Sequence, residues 1–251
     1  MKHQKENDFE NTLKAKASRI SCMLEEAIGH PTRSGPADPL DELILTVLSQ
    51  HTSDTNSRRA FAALKAAYPS WADAANAPTK DIASTIRSAG LADQKAPRIQ
   101  AILREVFAKE GDYSLNSLAQ LPTAQAREFL LSLPGVGPKT AACVLLFSLG
   151  RPVMPVDTHV HRVAARLGLI PDGTTAERAH DILQQLFRSE DIFPAHLNII
   201  KLGRTLCRPR NPKCSECPLL SECAYGRSRN SAEPTRESWL PAQTKTGSSS
   251  G

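Results

Sequence analysis

Aromatic side chains make up only 5% of this 251-residue chain, and no short strands at regular spacing are visible. Both absences argue against an all-β protein; the wealth of Ala, Leu and Arg favours an all-α fold. No run of about 18 apolar residues occurs, so a transmembrane helix and a membrane partner are not expected. Met1 to Asn11 lack the apolar core of a secretory signal, and the chain reads as cytoplasmic. A strong charge of either sign is also missing. The net charge of +5 and pI of about 8.9 permit a nucleic-acid partner without demanding one. There is no internal repeat.

What is present is organised. The length suits one large helical domain or two small lobes. Phe9, Leu13, Ile20, Leu24 and Ile28 fall near helical period and predict a helix over about 9–28. The Pro- and Gly-rich stretch from His30 to Pro39 reads as a linker. A second helix is expected after Asp38, with Pro39 as its first residue. Short helices follow, broken near Pro69, Pro78, Gly90, Gly111 and Pro122, with Ile99, Ile102, Leu103 and Val106 among the core. Further helices are expected over 126–133, 139–149 and 158–167. From about Ser228 the chain turns Ser-, Thr-, Pro- and charge-rich and reads as a disordered tail.

Three strings carry chemistry. In the first, Leu133-Pro-Gly-Val-Gly-Pro-Lys-Thr-Ala141, two glycines stand between two apolar helices. Glycine permits a tight turn with unusual dihedrals and leaves the backbone uncovered. Its N–H groups, with the positive end of the next helix, suit a phosphate. A helix–hairpin–helix element built this way grips a DNA backbone without reading sequence, which singles out Gly135, Val136, Gly137 and Thr140. Lys139 lies in the first helical turn after it. That lysine serves either as a nucleophile, once freed of its proton, or as a phosphate ligand.

The second string is Val156-Asp-Thr-His-Val-His-Arg-Val163. Asp157 precedes a helix, where Asp is a common N-cap; if Thr158 caps instead, Asp157 is free to face a cleft, and the two roles are compatible. His159 and His161 lack metal-ligand spacing. The third string places Cys207, Cys214, Cys217 and Cys223 at C-x6-C-x2-C-x5-C. Four thiolates so close in sequence can wrap one inorganic centre, an iron–sulfur cluster or zinc. In a reducing compartment metal binding is favoured over disulfides. Arg208, Arg210 and Lys213 lie between the first cysteines and suit phosphate contact.

In this order the three strings resemble the endonuclease III family of base-excision-repair glycosylases, over about Asp38 to Tyr225. The resemblance implies a [4Fe-4S] cluster rather than zinc on the four cysteines, because the spacing is that family's own. It implies two helical lobes: a six-helix barrel with the hairpin over 32–151, and a cluster lobe over 152–227 joined by the N-terminal helix 1–31, with 228–251 as tail. Lys139 matches the lyase lysine and Asp157 the catalytic aspartate. A bifunctional glycosylase and abasic-site lyase is therefore implied, acting as a monomer on double-stranded DNA with a damaged base, an oxidised pyrimidine by default, or an abasic site, in a bacterial or archaeal cytosol or nucleoid. Leu91 matches a leucine wedge. The Leu-Ser-Gln-His-Thr-Ser-Asp stretch differs from the family's loop, so either Gln50 or His51 takes the part of the gap-filling glutamine. Pro138 and His161 also depart from the common pattern. A base-only glycosylase and a non-catalytic DNA-binding iron–sulfur protein are the alternatives.

Overall fold

The computed structural model describes residues 2–33 and 37–232, and the regular elements among them are all helical. In chain order they include α1 (Lys2–Ile28), α2 (Pro39–Ser49), α3 (Asp54–Ala67), α4 (Trp71–Asn76), α5 (Thr79–Thr85), α6 (Ala92–Glu110), α7 (Thr123–Ser132), α8 (Pro138–Cys143), α9 (Thr158–Leu167), α10 (Ala176–Leu186), α11 (Ile192–Thr205) and α12 (Ala224–Ala232). Local signals set several of these bounds. Asp38 caps α2, its Oδ1 accepting from the N–H groups of Leu40 and Asp41 at 2.9 Å each, and Pro39 occupies the first helical turn. Ser70 and Asp73 form a reciprocal capping box on α4. Gly111 ends α6 at φ 73°, a left-handed conformation that suits glycine.

The apolar faces meet in two cores. One is built from α2 to α8 and contains Leu43, Leu64, Ile99, Ile102 and Leu130. The other combines Ala17, Ile20 and Leu24 of α1 with residues of α9, α10 and α11. The chain passes from one core to the other inside a π-helical turn, Val144–Ser148, that prolongs α8. Leu145 packs in the first core and Leu146 in the second. An α-helix with one widened turn re-aims successive side chains, as a π-bulge does.

Two expectations are amended here. The first helix starts at Lys2, and Phe9, counted in its apolar face, is 66% exposed. Packing of α1 against the second core begins at Leu13, so Phe9 joins neither core among the described residues. At the other end, α12 runs to Ala232, past the boundary read at Ser228. The rest of that tail, and part of the 30–39 linker, lie outside the described residues.

Polar contacts add to the packing within the second core and, through Arg204, join it to the first. Asn198 donates to the Gly29 carbonyl at 3.0 Å, and Arg204 of α11 makes a two-pronged bond with Asp54 of α3, at 2.6 and 3.0 Å. Lys16 of α1 donates to the C-terminal carbonyl of α9 at Leu167, where a cation suits the helix dipole.

Candidate active site

A cleft of about 1240 Å³ lies between the cores, lined from α2, α3, α8, α9 and α11. Lys139, in the first turn of α8, and Asp157, at the start of α9, both line it, though 18 residues separate them in sequence. Asp157 is the N-cap of α9: its Oδ1 accepts from His159 N at 2.9 Å and Val160 N at 2.7 Å. Oδ2 makes no hydrogen bond among the described residues. One carboxylate thus does both jobs, with one oxygen fixing the group and the other left for the cleft. Thr158 is not the cap.

The cleft floor is buried and polar. Burial holds His196 well below the usual imidazole range, at about 4. Its Nδ1–H donates to the Pro155 carbonyl at 3.0 Å, since a carbonyl can only accept. Burial also pushes the Cys143 thiol up to about 11, with the charge of Lys139 opposing. Phe147 and Phe193, edge to face at 5.9 Å, form an apolar wall.

The hairpin lines an adjoining pocket that shares Gln50, Lys139, Val156 and Ala176 with this cleft. Gly135 adopts φ 73°, the conformation expected of it, whereas Gly137 is extended at φ −99° and ψ 178°. At Gly137 openness, not dihedral freedom, is what the residue provides; a Cβ there would meet nothing within 4 Å. The N–H groups of Gly135, Gly137, Lys139 and Thr140 bond to no acceptor among the described residues. Val136 departs from the expectation. Its side chain is buried against the first core and its N–H is spent on the Leu133 carbonyl at 3.1 Å, so it shapes the turn rather than facing outward. Arg98 of α6 fills the space over Gly135 and donates to Gln50 Oε1 at 3.0 Å, linking the hairpin to the α2–α3 loop.

His51, in that loop, and Leu91, before α6, share a feature the sequence did not announce. Both sit at positive φ, 54° and 48°, where a side chain other than glycine is strained. Leu91 is 47% exposed; it is not core. The two loops hang on one residue. Lys95, 2% exposed, donates to the carbonyls of Leu48 at 2.7 Å and Ala89 at 2.8 Å, and burial lowers its pKa. The signal was present: Lys95 falls on the same helical face as Ile99, Ile102 and Val106, a core position for a cation. Arg98 and the Arg204–Asp54 pair had no such signal, because their partners are remote in sequence.

Thr158, His159 and His161 of the second string also line the cleft, while its further polar contacts are made within the protein. His161 Nε2 lies 2.7 Å from the Thr174 carbonyl, and Arg162 donates to the carbonyls of Gly203 and Cys207 at 2.9 and 3.0 Å. Near the chain's end, Arg166 donates to Cys207 Sγ at 3.3 Å and to the carbonyls of Arg208 and Pro209 at 2.7 and 3.0 Å, and stacks 4.5 Å from the Tyr225 ring. Arg208, Arg210 and Lys213 are exposed. Arg208 donates to the Thr205 carbonyl and Lys213 pairs with Glu216, while Arg210 makes no hydrogen bond or ion pair among the described residues. Among those residues, no group of three Cys, His, Asp or Glu side chains is arranged to hold a metal ion. The four cysteines are all free thiols, and burial raises the pKa of Cys217. Backbone N–H of Gly226 donates to Cys223 Sγ at 3.2 Å. Thiolate sulfur is the donor type that iron–sulfur centres and zinc both take.

Residues 44–189 match the model of the HhH-GPD superfamily base excision DNA repair proteins. The chain is 37% identical to endonuclease III of Thermotoga maritima over 81% of its own length and 91% of that protein's. It is 31% identical to endonuclease III of Bacillus subtilis over 77% and 84%. Its fold superposes on a trapped endonuclease III–DNA covalent intermediate with a TM-score of 0.75, 28% identity, and coverage of 86% and 98%. A match across both lobes, with the hairpin and the Lys139–Asp157 cleft inside the matched region, settles the kinship: the chain belongs to the HhH-GPD superfamily of base-excision DNA repair proteins, in its endonuclease III family.

Proposed function

We propose that this chain is a bifunctional DNA glycosylase and abasic-site lyase, with Lys139 as nucleophile and Asp157 as its electrostatic partner. One observation carries the reading: Lys139 and the unbonded Oδ2 of Asp157 face one cleft, and residues with unpaired backbone N–H groups line the pocket adjoining it. The donors of Gly135, Gly137, Lys139 and Thr140 hold a phosphate of duplex DNA. Binding of this kind weakens with salt. Leu91 enters the duplex as a wedge, and Gln50 or His51 fills the gap left when the nucleotide turns out of the stack. His51, strained and at the cleft mouth, is the better placed for that, since Gln50 is engaged by Arg98.

Lys139 Nζ attacks C1′, and the base departs with the electrons of the glycosidic bond. Asp157 Oδ2 stabilises the positive charge that develops on the sugar. The C1′–O4′ bond then opens as the C1′=N bond forms and O4′ takes a proton, which leaves the lysine joined to C1′ as a Schiff base; loss of a C2′ proton and of the 3′ phosphate by β-elimination breaks the strand on the 3′ side. Cys207, Cys214, Cys217 and Cys223 would hold a [4Fe-4S] cluster, which supplies order to the loop of Arg208, Arg210 and Lys213. The substrate class is damaged pyrimidines, and the protein acts as a monomer in the cytosol or nucleoid. Among the described residues no helix is long and apolar enough to cross a membrane.

The test is borohydride trapping on duplexes carrying an abasic site, thymine glycol or uracil. The wild type forms a lesion-dependent covalent adduct; Lys139→Gln forms none and keeps its duplex affinity within about threefold. Base release without an adduct would make the chain a base-only glycosylase. No activity on any duplex would favour a non-catalytic DNA-binding protein.

A further inference from the structure

Besides Asp157, the cleft is lined by two carboxyls that none of the three strings contains, Asp54 and Glu42. Glu42 projects from α2 into the cleft that Lys139 and Asp157 line. Its Oε1 accepts from the Thr46 hydroxyl, one turn on, at 3.1 Å, and Oε2 makes no hydrogen bond among the described residues. The charges that act on it come from two packed elements: Lys139 on α8 and Arg58 on α3. Cys143, also on α8, feels both Lys139 and Glu42. Glu42, Lys139 and Cys143 all line the cleft; of its carboxyls, Asp54 has both oxygens taken by Arg204, while Glu42 keeps Oε2 unbonded among the described residues. Asp157 is constrained differently, with one oxygen bound into the cap of α9.

We propose that Glu42 is a catalytic residue of the lyase reaction, the group that takes the proton from Lys139 and returns it to the departing water. The inference rests on the lysine mechanism above. The Glu42 carboxylate accepts a proton from the Lys139 ammonium. The neutral amine adds to C1′ of the opened abasic sugar: the N–C1′ bond forms, the carbonyl π bond breaks, and a proton passes from nitrogen to oxygen. The Glu42 acid then protonates that hydroxyl, which leaves as water. This yields the iminium and restores the carboxylate, so no proton is gained or lost by the site. Burial already raises the pKa of Glu42 against the pull of Thr46 and Lys139. Expulsion of water by bound DNA penalises both the ammonium and the carboxylate, which brings the neutral pair closer. Cys143 is no rival acceptor, because a thiol held at about 11 donates poorly and its thiolate is disfavoured there.

The experiment is the single-turnover rate of borohydride trapping on an abasic-site duplex, measured from pH 6 to 9. Glu42→Gln should slow trapping at pH 7 by at least about tenfold, the lower range for a general acid–base group being ~100-fold. The deficit should shrink as pH rises, because hydroxide then removes the lysine's proton. Affinity for a duplex with a tetrahydrofuran abasic analogue should hold. A rate within twofold of wild type at every pH, or a deficit constant across the range, overturns the proposal. If Glu42→Gln does not fold, Glu42→Ala is assayed with added formate: restored trapping supports the assignment and none overturns it. Failure of the wild type itself to trap would instead overturn the lysine mechanism.

Discussion

Gly135→Ala is the sharpest test of the hairpin geometry, because two separate costs meet at one atom. The first is conformational. At φ 73° an L-residue with a Cβ loses about 1–2 kcal/mol relative to glycine. The second is steric. The new Cβ would lie 2.8 Å from both Cδ and Nε of Arg98, the middle of that side chain rather than its free end. Arg98 must move, and its 3.0 Å bond to Gln50 Oε1 goes with it. A hydrogen bond from a charged donor contributes about 1.5–3 kcal/mol, and the partial exposure of Arg98 puts this one at the low end. The expected loss is about 3 kcal/mol in urea unfolding. Arg98→Ala by itself should cost about 1.5 kcal/mol. In that background the collision is gone, so Gly135→Ala should then cost only its conformational share, about 1–2 kcal/mol. The cycle should show a coupling of about 1–2 kcal/mol, well outside the ~0.5 kcal/mol expected of independent sites. Fluorescence anisotropy with an abasic-analogue duplex should show weaker binding for Gly135→Ala. Equal costs in the two backgrounds would refute the account of Arg98 packing over the glycine.

Asp157→Asn should retain stability, because an asparagine side-chain oxygen still caps α9, while trapping falls at least about a hundredfold; Asp157→Ala should lose activity and about 1 kcal/mol as well. A stable Asp157→Asn with unchanged trapping would count against the electrostatic role. The buried His196 makes stability depend on pH. Its folded-state value of about 4 lies below the ordinary ~6.5, so its contribution is complete above pH 6.5 and is lost as pH falls through 4. The unfolding free energy from urea titrations should drop over that window, by up to about 3 kcal/mol from this group, and His196→Gln should flatten the slope; an unchanged slope would assign the acid sensitivity elsewhere.

Much of the fold was legible in the chain because its signals are local. Asp38-Pro39 announces the start of α2 through one side chain and one fixed φ, and the α9 span over 158–167 matches its apolar period. The four cysteines and the hairpin lysine are equally local, being defined by spacing. Expectation failed where a local pattern needs a distant partner. Phe9 obeys the period of α1 yet joins neither core among the described residues, and Val136, picked with its neighbouring glycines, is turned inward by the first core. Gly137 is needed for its bare surface and not for its dihedral.

By itself, then, the sequence determined the helices, the cap chemistry, the hairpin string and the thiol spacing, since each depends on residues within a few positions of one another. The tertiary structure decided what those pieces are for. It divided Asp157 between a cap and a cleft, hung the two strained loops of His51 and Leu91 on the buried Lys95, laid Arg98 over Gly135, and set Glu42 of α2 and Lys139 of α8 on one cleft. Those arrangements join residues tens of positions apart, and only the packing of two cores against each other can set distances of that kind.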